Sequence, residues 1–243
     1  EKDKDNVLAA VQKFDINYPV VLDNEKEIWN AFQNKYWPRK YIADHDGYIR
    51  YDHIGEGSYK ETEEVIQKLL RERSESLGIK TSNLELLELD EFKHSTFRTP
   101  ELYFGYHFAS GRNNLGNENG FNPEEVVEYN IPLELKQHYF YLDGKWNNSK
   151  DSMKLVSENG LIVLQYNAKQ VNIVASNMAE LEIFIDGQVV SKRMIGVDLK
   201  PDSKIIITEP RLYNIVNSNV TESHELVIKV NDPKFEIFTL TFG

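Results

Sequence analysis

Residues 36–57 read YWPRKYIADHDGYIRYDHIGEG. The apolar stretch Pro38–Asp44 predicts a strand, and Tyr48–Ile54 predicts its antiparallel partner. Asp46-Gly47 lies between the two strands, and both residue types tolerate the positive φ that a tight hairpin turn requires. Because Gly55-Glu56-Gly57 interrupts the second strand, the whole stretch predicts a β-hairpin followed by a different element.

Helical patterns flank this hairpin on both sides. Asp5–Phe14 carries apolar residues at three- and four-residue spacing, and Asn24–Phe32 predicts a second, shorter helix that Asp23 or Asn24 caps. Tyr59–Glu72 predicts a third helix with one apolar face. The mixture of helix and strand periods predicts an α/β domain over residues 1–80.

The remaining chain is organised differently. Residues 81–98 are charged and predict a connection with a helical turn at Leu84–Leu89. Residues 99–243 alternate short apolar runs with Gly-, Asn- and Asp-rich turns, which predicts an antiparallel β-sandwich and an α+β chain overall. The predicted strands are Tyr139–Leu142, Leu161–Tyr166, Gln170–Ala175, Leu181–Ile185, Lys204–Thr208, Leu226–Val230 and Phe235–Phe242.

Composition excludes several classes of function. The 243 residues carry a formal net charge of -11, which disfavours binding to nucleic acid or to anionic membrane surfaces. The chain contains no cysteine, so it offers no disulfide, no thiolate nucleophile and no Cys-ligated zinc. The six histidines show no His-x-His or His-x-x-x-His spacing, and we expect neither a metal nor a cofactor. No apolar run approaches the roughly 20 residues that span a bilayer.

A series of short motifs runs through the first eighty residues: Tyr18-Pro19-Val20, Trp29–Phe32, Tyr36-Trp37-Pro38, Tyr41-Ile42-Ala43-Asp44, Asp46-Gly47 and Gly55-Glu56-Gly57. This series resembles the C-terminal part of a TlpA/ResA-like thioredoxin domain, and more closely that of the DipZ-type proteins. The second half resembles the C-terminal domain of the same family through Thr99-Pro100-Glu101, Tyr103, Gly105-Tyr106, Leu142–Trp146, Asp186-Gly187, Thr208–Tyr213, Asp232-Pro233 and Phe238–Gly243.

The resemblance implies a membrane-linked parent with an electron-transfer region, an extracytoplasmic thioredoxin-like domain and a β-sandwich similar to a carbohydrate-binding module (jelly-roll). The implied activity is thiol–disulfide exchange with thiol or disulfide proteins as substrates. The family's Cys-x-x-Cys lies on a strand–helix unit that would precede Glu1. Because thiol exchange requires a thiolate, we expect this chain to be a C-terminal fragment without redox activity, anchored to the membrane through an absent N-terminal region.

The same resemblance implies that Pro38 is a cis proline opposite the reactive disulfide, where it shapes the substrate groove with Tyr36 and Trp37. An ordinary trans proline at an edge strand is the alternative. Without the first strand–helix unit, strand 38–44 has an unpaired edge. We expect the upstream thioredoxin half, a second copy of the chain or the segment 74–98 to cover that edge.

A carbohydrate- or cell-wall-binding module, with residues 1–80 as scaffold, is the alternative function. Sugar binding needs exposed aromatic rings with polar side chains beside them. The candidate platforms are Trp146, Tyr213 and Tyr106, and the candidate hydrogen-bonding residues are Arg211, Glu209 and Arg112. The competing interpretations are that Trp146 belongs to the core and that Glu209 and Arg211 form an internal ion pair.

Overall fold

The computed structural model describes residues 3–79, 85–87, 98–109, 111–112 and 114–243. The chain divides into two compact units, Glu1–His94 and Ser95–Gly243. Strands predominate among the described elements, and helices are few and mostly short. Among the described residues, each unit contains its own antiparallel sheet, with two strands in the first unit and ten in the second.

The first unit has the predicted order of two helices, a hairpin and a third helix. Its elements are α1 (Lys4–Lys13), α2 (Glu27–Ala31), β1 (Arg39–Ala43), β2 (Ile49–Ile54) and α3 (Tyr59–Leu77). β1 pairs antiparallel with β2, and Gly47 in the connecting turn has a φ of +88°, as the hairpin prediction requires. The third helix is longer than predicted because Gly78, in the left-handed conformation, is the residue that ends it.

Few apolar side chains are buried in the described part of the first unit. Leu69 is its only buried apolar residue among those described, at 8% exposure, whereas Tyr18 is 69% and Trp37 is 72% exposed. A domain normally gains most of its stability by removing such side chains from water. The described elements therefore leave much of their own apolar surface without cover.

The second unit is built almost entirely from strands. They are β3 (Leu102–Tyr103), β4 (Val126–Tyr129), β5 (Phe140–Asn148), β6 (Met153–Leu155), β7 (Gly160–Ser176), β8 (Ala179–Ile185), β9 (Gln188–Val189), β10 (Lys204–Ile207), β11 (Arg211–Val230) and β12 (Glu236–Phe242), with one helical turn, α4 (Tyr106–Ala109). The strand order is β10-β8-β11-β7-β12-β6-β5-β4, β3 pairs with β12 and β9 pairs with β8.

Two long strands organise this sheet. β7 runs through both segments that the sequence predicted as separate strands, because Ala168 and Val171 stay paired with β11. β7 also pairs with β5 through residues 161–164 and with β12 through residues 171–176. Since β5 pairs with β6 and β6 with β12, these four strands close a ring of hydrogen-bonded pairs.

The core lies within the second unit. Its largest fully buried side chains include Trp146, Tyr129, Tyr166, Tyr213 and Phe140. Burial alternates along strands such as β8, as expected when one face of a strand packs inward.

Candidate functional site

The loop that precedes β1 presents an aromatic surface. Tyr36 is 51% exposed and Trp37 is 72% exposed, and the Trp37–Pro38 peptide bond is cis, the isomer that the sequence analysis favoured. The Trp37 ring packs against Trp29 of α2, with 4.4 Å between ring centroids and 52° between planes. The role of Tyr36, Trp37 and Pro38 in shaping a substrate groove stays a prediction.

Two polar side chains fix this loop and the helix beside it. The Asp23 carboxylate accepts hydrogen bonds from the backbone amides of Ile28 at 3.0 Å and Trp29 at 2.7 Å, so it satisfies free N–H groups at the start of α2. The Asn34 side chain donates to the carbonyl of Tyr36 at 3.0 Å. These contacts position Trp29 against the exposed loop.

An apolar cavity of about 420 Å³ lies between α2 and the hairpin. Its volume is within the range of sites that bind small ligands or several side chains, roughly 300–1,000 Å³. It is lined by Asp23, Ile28, Trp29, Phe32, Asn34, Tyr41, Ala43 and Ile49. No motif in the sequence predicted this cavity; its one local signal is the spacing of Ile28 and Phe32 on one face of the helix.

A second cavity, of about 240 Å³, lies between β1 and α3. It is lined by Ile42, Ala43, Asp44, His45, Ile66, Leu69, Leu70 and Arg73. Tyr41 lines the first cavity and Ile42 the second, because successive side chains of a strand point to opposite faces. The hairpin thus carries an apolar cavity on each of its two faces.

The cations of β1 have partners within the unit. Lys40 donates through Nζ to the carbonyl of Gly57 at 2.5 Å and to Oγ1 of Thr62 at 3.1 Å. Arg39 pairs with Asp52, with 2.5 Å between Nη2 and Oδ2. Arg39 therefore links β1 to β2, and Lys40 links β1 to the start of α3.

Trp146 and Tyr213 are fully buried, which corrects their interpretation as sugar-stacking platforms. The indole Nε1 of Trp146 donates to the carbonyl of Asp143 at 2.8 Å. The Tyr213 hydroxyl donates to the carbonyl of Glu209 at 2.7 Å and accepts the amides of Thr208 and Glu209 at 3.0 and 3.1 Å. Both rings therefore have structural roles in the core.

Arg211 and Glu209 form the internal ion pair that was the competing interpretation, with 3.3 Å between Nε and Oε1. Arg211 also pairs with Asp198 at 2.9 Å, and its guanidinium lies 3.7 Å from the centroid of the Tyr213 ring. Burial is the largest single influence and lowers the pKa of Arg211. The hydrogen bond and charge of Asp198, together with Tyr213 and Glu209, outweigh it, so the pKa of Arg211 is raised overall. This arrangement fixes the start of β11.

Tyr106 and Arg112 lie in a different set of contacts. The Tyr106 hydroxyl donates to Oε1 of Glu124 at 2.9 Å, and Arg112 lies over the Tyr103 ring at 4.7 Å. Burial, together with the hydrogen bond to Glu101, raises the pKa of Tyr103 to about 12. No hydrogen bond or ion pair between described residues joins this set to Arg211, and Trp146 and Tyr213 are buried in the core. The structure therefore does not bring the six predicted sugar-binding residues together in one exposed site.

The second unit matches the model of a family described as a thioredoxin-like C-terminal domain, over residues 99–243. The chain belongs to this family. It is also similar to Protein DipZ from Mycobacterium bovis and from Mycobacterium tuberculosis, at 27% identity over 243 residues in each case. These matches cover 100% of the chain and 32% of each relative, so the chain spans about a third of the length of these curated relatives.

The family match and the similarity to Protein DipZ confirm the resemblance drawn from the motifs: the chain contains a thioredoxin-like C-terminal domain and is similar to a DipZ protein along its whole length. Among the described residues, no group of three or more His, Asp or Glu side chains is arranged to hold a metal ion. No helix in the described part of the chain has the length and apolar character needed to cross a membrane. The predicted turn at Leu84–Leu89 falls mostly outside the described residues, and residues 85–87 are not helical.

Proposed function

We propose that this chain is the C-terminal portion of an extracytoplasmic, membrane-linked thiol–disulfide oxidoreductase of the DipZ type, and that it has no redox activity by itself. The observation that carries the proposal is similarity to Protein DipZ along the whole chain, combined with a total absence of cysteine. Thiol–disulfide exchange proceeds by attack of a thiolate on a disulfide sulfur. The reactive sulfurs therefore belong to another part of the parent polypeptide.

Residues 1–80 serve, in this proposal, as a partial thioredoxin-like domain without its Cys-x-x-Cys unit. The exposed apolar side chains of the first unit support this assignment, because a complete domain buries most of them. Tyr36, Trp37 and Pro38 border the substrate groove of the completed domain. Trp29 packs its ring on Trp37 and so holds this side of the groove in place.

Residues 99–243 form, in this proposal, a β-sandwich of the jelly-roll type that follows a connection at 81–98. The ring of four paired strands and the single core support a sheet that folds back on itself. Its role is to hold the redox domain in place within the parent. A carbohydrate-binding role is not favoured, because two of its three aromatic platforms are buried.

The test is an insulin-reduction assay on the 243-residue chain and on the complete parent polypeptide. We expect the chain to give only the background rate, and the parent to be active and to lose activity when its cysteine pair is changed to serine. Reductase activity of the 243-residue chain would contradict the proposal. A complete parent without a cysteine pair would contradict it equally.

A further inference from the structure

Two buried polar side chains lie one turn apart on α3. Glu63 is 8% exposed and Gln67 is 7% exposed, and Nε2 of Gln67 donates to Oε1 of Glu63 at 2.7 Å. Glu63 makes none of the ion pairs found among the described residues. A buried carboxylate without a cation needs N–H donors, because burial has removed the hydrogen bonds of water. This pair therefore requires further polar partners.

The main chain that follows α3 supplies such partners. The backbone amide of Leu87 donates to Oε1 of Glu63 at 3.5 Å, and the backbone carbonyl of Glu85 accepts from Nε2 of Gln67 at 3.3 Å. The side chains of Leu86 and Leu87 stay 55% and 64% exposed. The contact with α3 is thus made through backbone atoms.

The spacing of the two side chains matches an extended backbone. Residues four apart on a helix are separated by about 6 Å along its axis. Two residues of a strand span about 6.6 Å, and residues two apart direct their N–H and C=O groups to the same edge. Because Glu63 offers an acceptor and Gln67 a donor at this spacing, the pair can bind the C=O of one residue and the N–H of the residue two positions later.

We propose that Glu63 and Gln67 form a binding site for an extended main chain, and that residues 85–87 occupy this site as an intramolecular strap. The site selects no particular side chain, because both contacts go to backbone atoms. The strap concerns the connection between the two units, so it goes beyond the redox function proposed for the parent.

The strap is bound weakly enough to open. Its two hydrogen bonds, at 3.3 and 3.5 Å, are long for N–H···O bonds. Oε1 of Gln67 is buried and has no hydrogen-bond partner among the described residues, which costs free energy in the closed form. Opening lets water reach this oxygen and the Glu63 carboxylate. We therefore expect an exchange between a closed and an open strap.

The strap determines where the chain leaves α3. The helix is capped at its end by Gly78, whereas Leu87 is bound beside Glu63, near the start of the helix. These two positions lie about 22 Å apart along the helix axis. The closed strap therefore leads the chain away from the start of α3, and the open strap leads it away from the end.

The first experiment measures hydrogen exchange of the Leu87 backbone amide by NMR in the full 243-residue chain. Because this N–H donates to Glu63, it should exchange at least about fivefold more slowly than in an unstructured peptide of the same local sequence. Glu63→Ala should remove the protection. Glu64→Ala, at the exposed neighbouring position, is the matched control and should leave the protection unchanged.

The second experiment changes the strap and leaves the Glu63–Gln67 pair intact. The chain has no cysteine, so Leu86→Cys and Glu75→Cys introduce two defined sites for nitroxide labels. Double electron–electron resonance should show a narrow main distance component in this labelled chain. Leu87→Pro removes the N–H that binds Glu63 and should abolish the narrow component. Leu87→Ser keeps that N–H and should retain it.

An unprotected Leu87 amide, equal protection in Glu63→Ala, or a loss of the narrow component in Leu87→Ser as complete as in Leu87→Pro would overturn the proposal. If the amide NMR spectrum shows that Glu63→Ala does not fold, the two Leu87 variants decide by themselves, since they leave the helix unchanged. Insulin reduction enters neither readout, so a failure here leaves the redox assignment intact.

Discussion

Removal of the Tyr213 hydroxyl tests whether this hydroxyl holds the backbone of the Thr208–Tyr213 segment in place. The hydroxyl makes three hydrogen bonds, one donated to the Glu209 carbonyl and two accepted from the amides of Thr208 and Glu209. At about 1 kcal/mol net for each bond, Tyr213→Phe should lower the free energy of unfolding by about 3 kcal/mol. The ring stays in place, so the change isolates the hydroxyl.

The assay is a urea titration followed by ¹⁹F NMR on protein labelled with 5-fluorotryptophan. Trp146 reports the second unit, while Trp29 and Trp37 report the first. Tyr139→Phe is the matched control, because no hydrogen bond of the Tyr139 hydroxyl is found among the described contacts, and its effect should stay within about 0.5 kcal/mol. If Tyr213→Phe changes the free energy of unfolding as little as this control does, the Tyr213 hydroxyl does not hold the segment in place and the prediction is wrong.

Three further predictions concern other contacts. Gly105→Ala should destabilise the second unit by about 1–3 kcal/mol in the same titration, since its Cβ would lie 2.3 Å from the backbone carbon of Asp151; a change below 0.5 kcal/mol would contradict this close approach. The Tyr48 amide and Arg50 hold the pKa of Asp44 below its usual range. The stabilisation by Asp44 should therefore be complete above the unfolded pKa of about 3.9 and be lost as the pH falls through the folded pKa; a Tyr48 amide NMR shift that titrates at or above 3.9 would argue against it. Because the folded pKa of Tyr103 is about 12, stability should fall as the pH rises from about 10 to 12. Tyr103→Phe should reduce that alkaline loss in pH-dependent urea titrations without abolishing it, because burial also raises the pKa of Tyr166 and Tyr129; an undiminished loss would contradict the contribution of Tyr103.

Local sequence signals were sufficient to predict the order of helices and strands in the first unit and the position of its hairpin. Asp46-Gly47 between two apolar runs is typical of a β-hairpin turn, and the structure has a β-hairpin at this position. The role of Asp23 was predictable only in part. Its carboxylate accepts from the free amides of Ile28 and Trp29, but α2 begins at Glu27 and its N-cap residue is Lys26. Such features depend on residues close together in the chain.

The strands and cavities that the sequence did not predict depend on residues far apart in the chain. β4 and β6 are short, and the first part of β11 is interrupted where the register shifts between Asn217 and Glu222. These segments are strands because β5, β7 and β12 lie beside them, which no local pattern reveals. The cavities beside β1 are likewise formed by α2 and α3, which approach the hairpin only in the folded unit.

Strand parity could have corrected the sugar-binding hypothesis. Trp146 has the same parity as Phe140 and Leu142 along β5, and all three are buried. Tyr213 has the same parity as Ile215, which is also buried. An aromatic residue that shares parity with aliphatic neighbours is expected in the core, so the ring type alone was a poor guide to its function.

The pairing of β3 with β12 joins the first and the last strand of the second unit, through Leu102 with Leu240 and Tyr103 with Thr239. The first and last strands of the second unit are therefore neighbours in its sheet. A module with adjacent ends can be inserted in a loop of another protein, or circularly permuted, without stretching its sheet. Evolution could accordingly move it between longer proteins as one intact piece.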